Sequence, residues 1–395
     1  MMPNPTRFSV SSEDLIRPPS SKPLTPAASF LLDILRFGAA LLVVTAHFSH
    51  EEFHTGTQSF QILGDVAVPI FFVLSGFVIR YVTLSREHTL RVFLIDRASR
   101  VYSIAVPALL LTLAIGAFTA HVAPAYWARY FADISTHPLT RIVLNLGLLS
   151  QSWGHNTVAF CDSPFWSLSY EGLFYIAYGL LFYLRGARRV VAVLVWALIS
   201  GPQVLFLLPI WWLGCWLYDF FQFIRFRKAA TWLRSLLGGY VIAALGFTAL
   251  GHDGLLVAPV HVVLAFAQWR NPLTFLHLAP FRATLLVVGT GTTTAIAMLG
   301  LLLFSDLLRL SREHAWVRRF RHVADGTFAI YLMHYPLMVL ATSLGLYREG
   351  SLWWDIAITA TICTLLIFSA APLDRLKEEM RKALRRTIPA PAPQG

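Results

Sequence analysis

The sequence predicts an all-α polytopic membrane protein, with about ten transmembrane helices, both termini cytoplasmic and one or two re-entrant segments. Three observations predict it. Of 395 residues, 56% are hydrophobic and only 13% are charged, against about 25% charged in an ordinary soluble domain. Mean hydropathy is +0.61. Apolar runs recur along the chain, each near the ~20 residues that cross a hydrocarbon core. They are too many and too long to share one aqueous core, which excludes a water-soluble globular protein.

The elements follow in order. The first span covers 30–49 and leads into the acidic loop "HEEFHTG". The second, 65–83, runs into a segment holding Arg80, Arg86, Arg91, Arg97 and Arg100. An acidic first loop and a basic second one put the N-terminus in the cytoplasm. The third span is expected at 101–120. Residues 121–164 then lie outside and contain "RIVLNLGLLSQSW", too short to cross and read as re-entrant or interfacial. The fourth span, 165–184, returns to the basic "RGARR"; 189–202 and 204–221 form a pair joined at Gly201-Pro202, before the basic "RFRK". Further spans are expected at 235–251, 282–304, 324–345 and 352–372. The apolar stretch 254–280 is broken by Pro259, Pro272 and Pro280. Counting it as a crossing would put the basic loop at 311–322 outside, so it is read as a re-entrant or extracytoplasmic element. The resulting organisation is a disordered cytoplasmic leader at 1–29, a membrane domain at 30–372 and a cytoplasmic tail at 373–395. The Ser- and Pro-rich leader lacks the apolar core of a signal peptide, and "LDRLKEEMRKALRR" in the tail reads as an amphipathic helix.

The net charge of +11 sits in short clusters between apolar runs. That places it at cytoplasmic loops and anionic lipid rather than on nucleic acid. Cys161, Cys215 and Cys363 are widely spaced and form no metal-ligand pattern, so no metal is expected.

Polar groups inside the spans carry the functional argument. "LLDILRFGAALLVVTAHFSH" (31–50) holds Asp33, Arg36 and His47, which are costly in hydrocarbon. At about 100° per residue, the three share one face, with Arg36 and His47 about 16 Å apart along the axis. That face must look into the protein. Asp33 and Arg36 are spaced to pair, which alone would make the set a structural salt bridge plus an interfacial histidine. Other stretches join them: "FFVLSGFVIR" (71–80) with Ser75, "DRASRVY" (96–102) with Arg97 and Arg100, "FWSLSYEGLFY" (165–175) with Trp166, Ser169 and Glu171, and "FAIYLMHYP" (328–336) with His334.

This set resembles the acyltransferase-3 family of integral membrane acyltransferases. Asp33, Arg36 and His47 match its D-x-x-R-x10-H span; Phe71 to Phe77 match FF-x-L-S-G-F; Arg97 and Arg100 match R-x-x-R; Trp166 to Glu171 match W-S-L-x-x-E. The resemblance covers 30–372. Phe37 stands where the family usually has Gly, and "APLDRLKEEM" replaces the expected Glu-x-Pro ending. The resemblance implies O-acyl transfer, usually of acetyl, from cytoplasmic acyl-coenzyme A to a hydroxyl of a sugar or small molecule, in a bacterial cytoplasmic (inner) membrane. No permanently bound cofactor is implied; acetyl-CoA is the donor substrate, and a glycan or glycoside is the expected acceptor.

On this reading His47 is the general base, since an imidazole suits deprotonation of a hydroxyl at neutral pH. Asp33 belongs with the catalytic set. Glu171 either orients His47, as a carboxylate does in a triad, or binds the acceptor. Arg36, Arg97 and Arg100 hold the donor, guanidinium forks matching its phosphates; for Arg97 and Arg100 the plainer reading is positive-inside charge. Ser75, Trp166, Ser169 and His334 are pocket candidates. Ser75, Ser167, Ser169 and Cys161 are the available acyl-carrying nucleophiles, and the plainer reading of His334 is a satisfied core histidine. The rival class is a secondary transporter, which also needs interior charge and re-entrant segments; the absence of an internal repeat argues against it.

Overall fold

The computed structural model describes residues 23–387 except 55–57, 88, 226–278, 306, 309, 312 and 349. The expected crossing at 235–251, most of the broken segment 254–280, most of "RFRK" and residues 1–22 of the leader lie outside the described residues. Among those described, every regular element is helical, apart from one isolated bridge between Ala159 and Asp162.

The first helix, α1, spans Pro26–Phe48. It starts four residues earlier than the sequence boundary at 30 because Thr25 caps it: the Thr25 hydroxyl accepts from the Ala28 amide at 3.1 Å, and Pro26 takes the first turn, where its missing N–H costs nothing. Helix α2 spans Ile62–Arg86 and α3 spans Leu90–Val122. The expected start of the third span at 101 is therefore corrected by eleven residues. Thr89 caps α3, and Arg91, Arg97 and Arg100, placed before the span, lie inside its first three turns.

Short helices α4 (Pro124–Tyr130) and α5 (Pro138–Leu146) follow; α5 falls on the segment expected to be re-entrant or interfacial. Then come α6 (Trp166–Tyr183), α7 (Gly186–Ser200) and α8 (Pro202–Arg225). After the undescribed stretch come α9 (Ala279–Ser305), α10 (Ala315–Asp325), α11 (Thr327–Ser343), α12 (Leu352–Phe368) and α13 (Ala370–Thr387).

Among the described residues, five helical stretches are long and apolar enough to cross a membrane: Pro26–Phe48, Leu63–Arg86, Leu90–Val122, Pro202–Arg225 and the run Leu352–Thr387. The α10–α11 pair, bent by 45°, makes a sixth if counted as one span. Helices α6 and α7 coincide with expected crossings but do not meet that length and apolarity on their own. The chain is a multi-pass helical membrane protein.

The α2–α8 contact is the tightest in the bundle. A Cβ on Gly76 would stand 2.0 Å from the Trp211 carbonyl oxygen, and one on Gly214 2.0 Å from that of Val73. Small residues let helix backbones approach where lipid supplies no hydrophobic drive. Across this seam Arg80 Nε bonds Asp219 Oδ1 at 2.9 Å, so the charge that α2 carries into the bundle meets its partner there. Gly214→Ala is expected to lower stability in detergent by about 1–3 kcal/mol, the cost of overpacking. An unchanged melting temperature would show that the seam can open freely.

Candidate active site

Five helices line a cavity of about 100 Å³: α1 contributes Arg36, α2 contributes Ser75, α3 contributes Arg97 and Arg100, α6 contributes Glu171 and Tyr175, and α11 contributes Phe328 and Tyr331. Val68, Phe71, Phe72, Leu74, Val78 and Ile79 of α2 make its apolar wall, with Ser167 of α6 and Thr327 of α11 beside them. A second, more polar space of about 400 Å³ adjoins it, and the two share Arg36, Val78, Arg97, Arg100 and Phe328. Those shared residues form a throat with three guanidinium groups.

Each throat arginine is held differently. Arg36 pairs with Asp33 at 3.7 Å and donates to the Ala324 carbonyl at 3.1 Å. Asp33 also faces Arg321 of α10 at 3.6 Å, so it anchors α1 to α10 and aims Arg36. It lies fourteen residues from His47, about 21 Å along the helix. Asp33 thus contacts Arg36 and Arg321, not His47, in this structure. Arg97 is buried and ion-paired with Glu87, the residue that ends α2. Burial raises the Glu87 carboxyl above its ordinary value, and the Arg97 charge pulls it back. Arg100 lies over the Phe328 ring at 5.9 Å, and among the described residues no carboxylate pairs with it.

His47 lies at the far end of α1. Its Nδ1 is 2.9 Å from Nε2 of His334, with the rings stacked at 5.1 Å. His334 Nδ1 is 2.7 Å from the Ile330 carbonyl. A carbonyl only accepts, so His334 Nδ1 carries a proton. With both rings neutral, His334 Nε2 is then the acceptor and His47 Nδ1 the donor. That leaves the lone pair of His47 on Nε2. Around the pair, Tyr335 donates to Glu52, and His50 meets the same carboxylate at 3.3 Å. Burial alone would raise the Glu52 carboxyl, but the hydrogen bonds from His50 and Tyr335 outweigh it and hold Glu52 below its ordinary value.

A family model described as an acyltransferase domain, of the acyltransferase-3 type, matches residues 31–371. The chain belongs to the acyltransferase-3 family. No curated protein and no solved structure matches it.

In this membrane acyltransferase the polar stripe of α1 faces inward, against α10 and α11, as its spacing requires. The structure places the other sequence candidates as follows. The Glu171 carboxylate accepts from Tyr175, one turn along α6, and lines the arginine-bearing cavity. The partner of His47 is His334, which is no isolated core histidine. Ser75 lines the cavity and accepts from Trp211 Nε1 at 3.1 Å. Ser169 is turned away, its hydroxyl 2.6 Å from that of buried Ser150, and Trp166 packs edge-on against Tyr170; neither lines the cavity. Ser167 does line it, with its hydroxyl accepting from Tyr331 at 2.7 Å. Cys161 is buried against Thr112.

Tyr331 links the two halves of the site. It lines the cavity, packs on Phe71 at 4.9 Å, and precedes His334 by one turn of α11. The sequence reading missed Glu87, Tyr331, Tyr335 and Glu52. Tyr175 was within reach of it, four residues after Glu171 on the same helix face.

Proposed function

We propose that the protein is an O-acyltransferase that moves an acetyl or other acyl group from cytoplasmic acyl-CoA to a hydroxyl of an envelope or exported glycan or glycoside. The bacterial cytoplasmic membrane is its setting, with ten crossings and both termini inside. The observation that carries this reading is one helix bearing both ends of the reaction: Arg36 in a cationic throat, and His47 with a free Nε2 about 16 Å further along.

On this reading the phosphorylated part of the donor rests at the throat, against Arg36 and Arg100. The pantetheine arm runs along the apolar cavity toward Tyr331, which must yield for the thioester to approach His47. His47 Nε2 takes the proton of the acceptor hydroxyl while the oxygen attacks the thioester carbonyl carbon. The carbon–sulfur bond then breaks, and the thiol leaves with the proton. His334, held by the Ile330 carbonyl, keeps His47 in the tautomer this needs and disperses the imidazolium charge. Glu171, facing the cavity, is suited to an acceptor or donor polar group rather than to the base.

The test is reconstitution in sealed vesicles of known sidedness. Labelled acetyl-CoA is supplied at the basic face and a membrane-impermeant glycoside at the other. Ester formed across the bilayer is the expected result. Product only with both on the same side would overturn the through-membrane path, and movement of unmodified glycoside without ester would favour a transporter.

A further inference from the structure

The tail helix α13 lies almost wholly beyond the matched domain, which ends at residue 371. It is nonetheless docked along α3: Arg385 meets Asp96 at 3.1 Å, and Arg91 donates to the Arg385 carbonyl at 2.8 Å. Docked this way, it builds one wall of the polar vestibule with Leu373, Asp374, Lys377 and Arg381. Those positions recur at helical spacing and share one face.

The cations of the vestibule fall into two tiers. Arg36, Arg97 and Arg100 form the throat shared with the inner cavity, whereas Arg86, Lys377 and Arg381 line the vestibule alone. The inner tier has donors to spare, because the Nε atoms of Arg36 and Arg97 are buried without a partner. Within the outer tier, the two tail-helix cations pair with neighbours on their own helix. Lys377 meets Asp374, and Arg381 meets Glu378 at 2.5 Å. Half-exposed pairs of this kind hold weakly and exchange readily for a phosphate, which accepts more strongly from both groups. Of the carboxylates in the vestibule, Glu87 is matched by Arg97, Asp96 by Arg385 and Asp374 by Lys377, while Asp325 lies in the field of Arg36.

We propose that Lys377 and Arg381 of the tail helix, with Arg86 of α2, form a phosphate subsite for the outermost phosphate of the acyl donor, the ribose 3′-phosphate of an acyl-CoA. The assignment rests on the donor reading above. A thioester that enters first draws the diphosphate to the throat and leaves the nucleotide end in the vestibule. Lys377 and Arg381 are one turn apart, about 6 Å along the axis, so both heads reach a single phosphate. The tail helix is then a specificity element added to the acyltransferase domain.

The experiment compares acetyl-CoA with its 3′-dephospho form, using the full-length protein in vesicles, as wild type and as Lys377→Gln/Arg381→Gln. Both changes keep the helix-forming character of the tail. Wild type is expected to show a KM about tenfold higher for the dephospho donor, the scale of a lost charge-assisted contact. In the double variant the KM for acetyl-CoA should rise to the dephospho value, with kcat unchanged and discrimination gone; Arg381→Lys should keep part of it. A variant that still discriminates as wild type does overturns the subsite. Equal losses with both donors overturn it too, since they mark a structural tail or a lipid contact. Binding of adenosine 3′,5′-bisphosphate, measured by calorimetry, separates the two claims. If wild type transfers no acyl group but binds this nucleotide and the variant does not, the donor reading fails and the phosphate subsite stands.

Discussion

His47→Ala is expected to lower acyl transfer by at least a hundredfold and to leave donor binding and melting temperature near wild type. The magnitude follows from the usual contribution of a positioned general base, about 10² to 10⁴ in rate. Specificity to the base is tested at His334, which touches His47 rather than substrate. His334→Leu removes the acceptor for His47 Nδ1–H and frees the ring to rotate or change tautomer. His334→Gln keeps an acceptor oxygen within reach and should restore part of kcat at unchanged KM. The pH profile of the leucine variant should also shift, because the imidazolium formed in the reaction loses its neighbour. Retention of more than a tenth of wild-type turnover by His47→Ala would sink the base assignment. Equal losses in the leucine and glutamine variants, with no change in pH profile, would reduce His334 to a packing residue.

The parts of this site legible in the sequence are those governed by local periodicity. Asp33, Arg36 and His47 stood out because polar residues in an apolar helix must share an inward face. Their inward face and the Asp33–Arg36 pair both follow from spacing along α1. The partners of those residues were not legible, because they come from distant parts of the chain. His334 is separated from His47 by 287 residues, and Asp219 from Arg80 by 139; no spacing rule reaches across helices. Helix α3 shows a different limit. Hydropathy ends where the arginines begin, so the expected span started at 101, whereas a capping threonine and long arginine stems that bury against the bundle carry the helix back to Leu90. Glu171 stands out by its W-S-L-x-x-E stretch and by a depth comparable to that of His47, which leaves open whether it orients His47 or binds the acceptor. Depth on two helices does not fix rotation, and its side chain turns to Tyr175 and the cavity instead of His47.

Arg97 and Arg100, alike in the sequence, are expected to separate under mutation. Arg97 is buried with Glu87, their side chains 9% and 2% exposed, and Arg100 has no ion-pair partner among the described residues. Removing one member of a buried pair strands the other charge and costs about 3–5 kcal/mol. Arg97→Ala should therefore lower the melting temperature in detergent sharply, and Glu87→Ala should do the same. Replacing both with apolar groups of similar volume, Glu87→Leu with Arg97→Met, removes the stranded charge and should recover most of the stability. Arg100→Ala should melt near wild type but raise the KM for acetyl-CoA, and Arg100→Lys should only partly restore it, since lysine keeps the charge but loses the planar fork. Thermal unfolding and steady-state kinetics on the same preparations check both halves. Should Arg97→Ala melt like wild type while losing donor affinity, the Glu87 pair would be incidental and Arg97 a direct donor ligand. Should Arg100→Ala keep its KM, the guanidinium at the throat would serve membrane topology alone, and the donor's phosphates would have to rest on Arg36 and the outer tier.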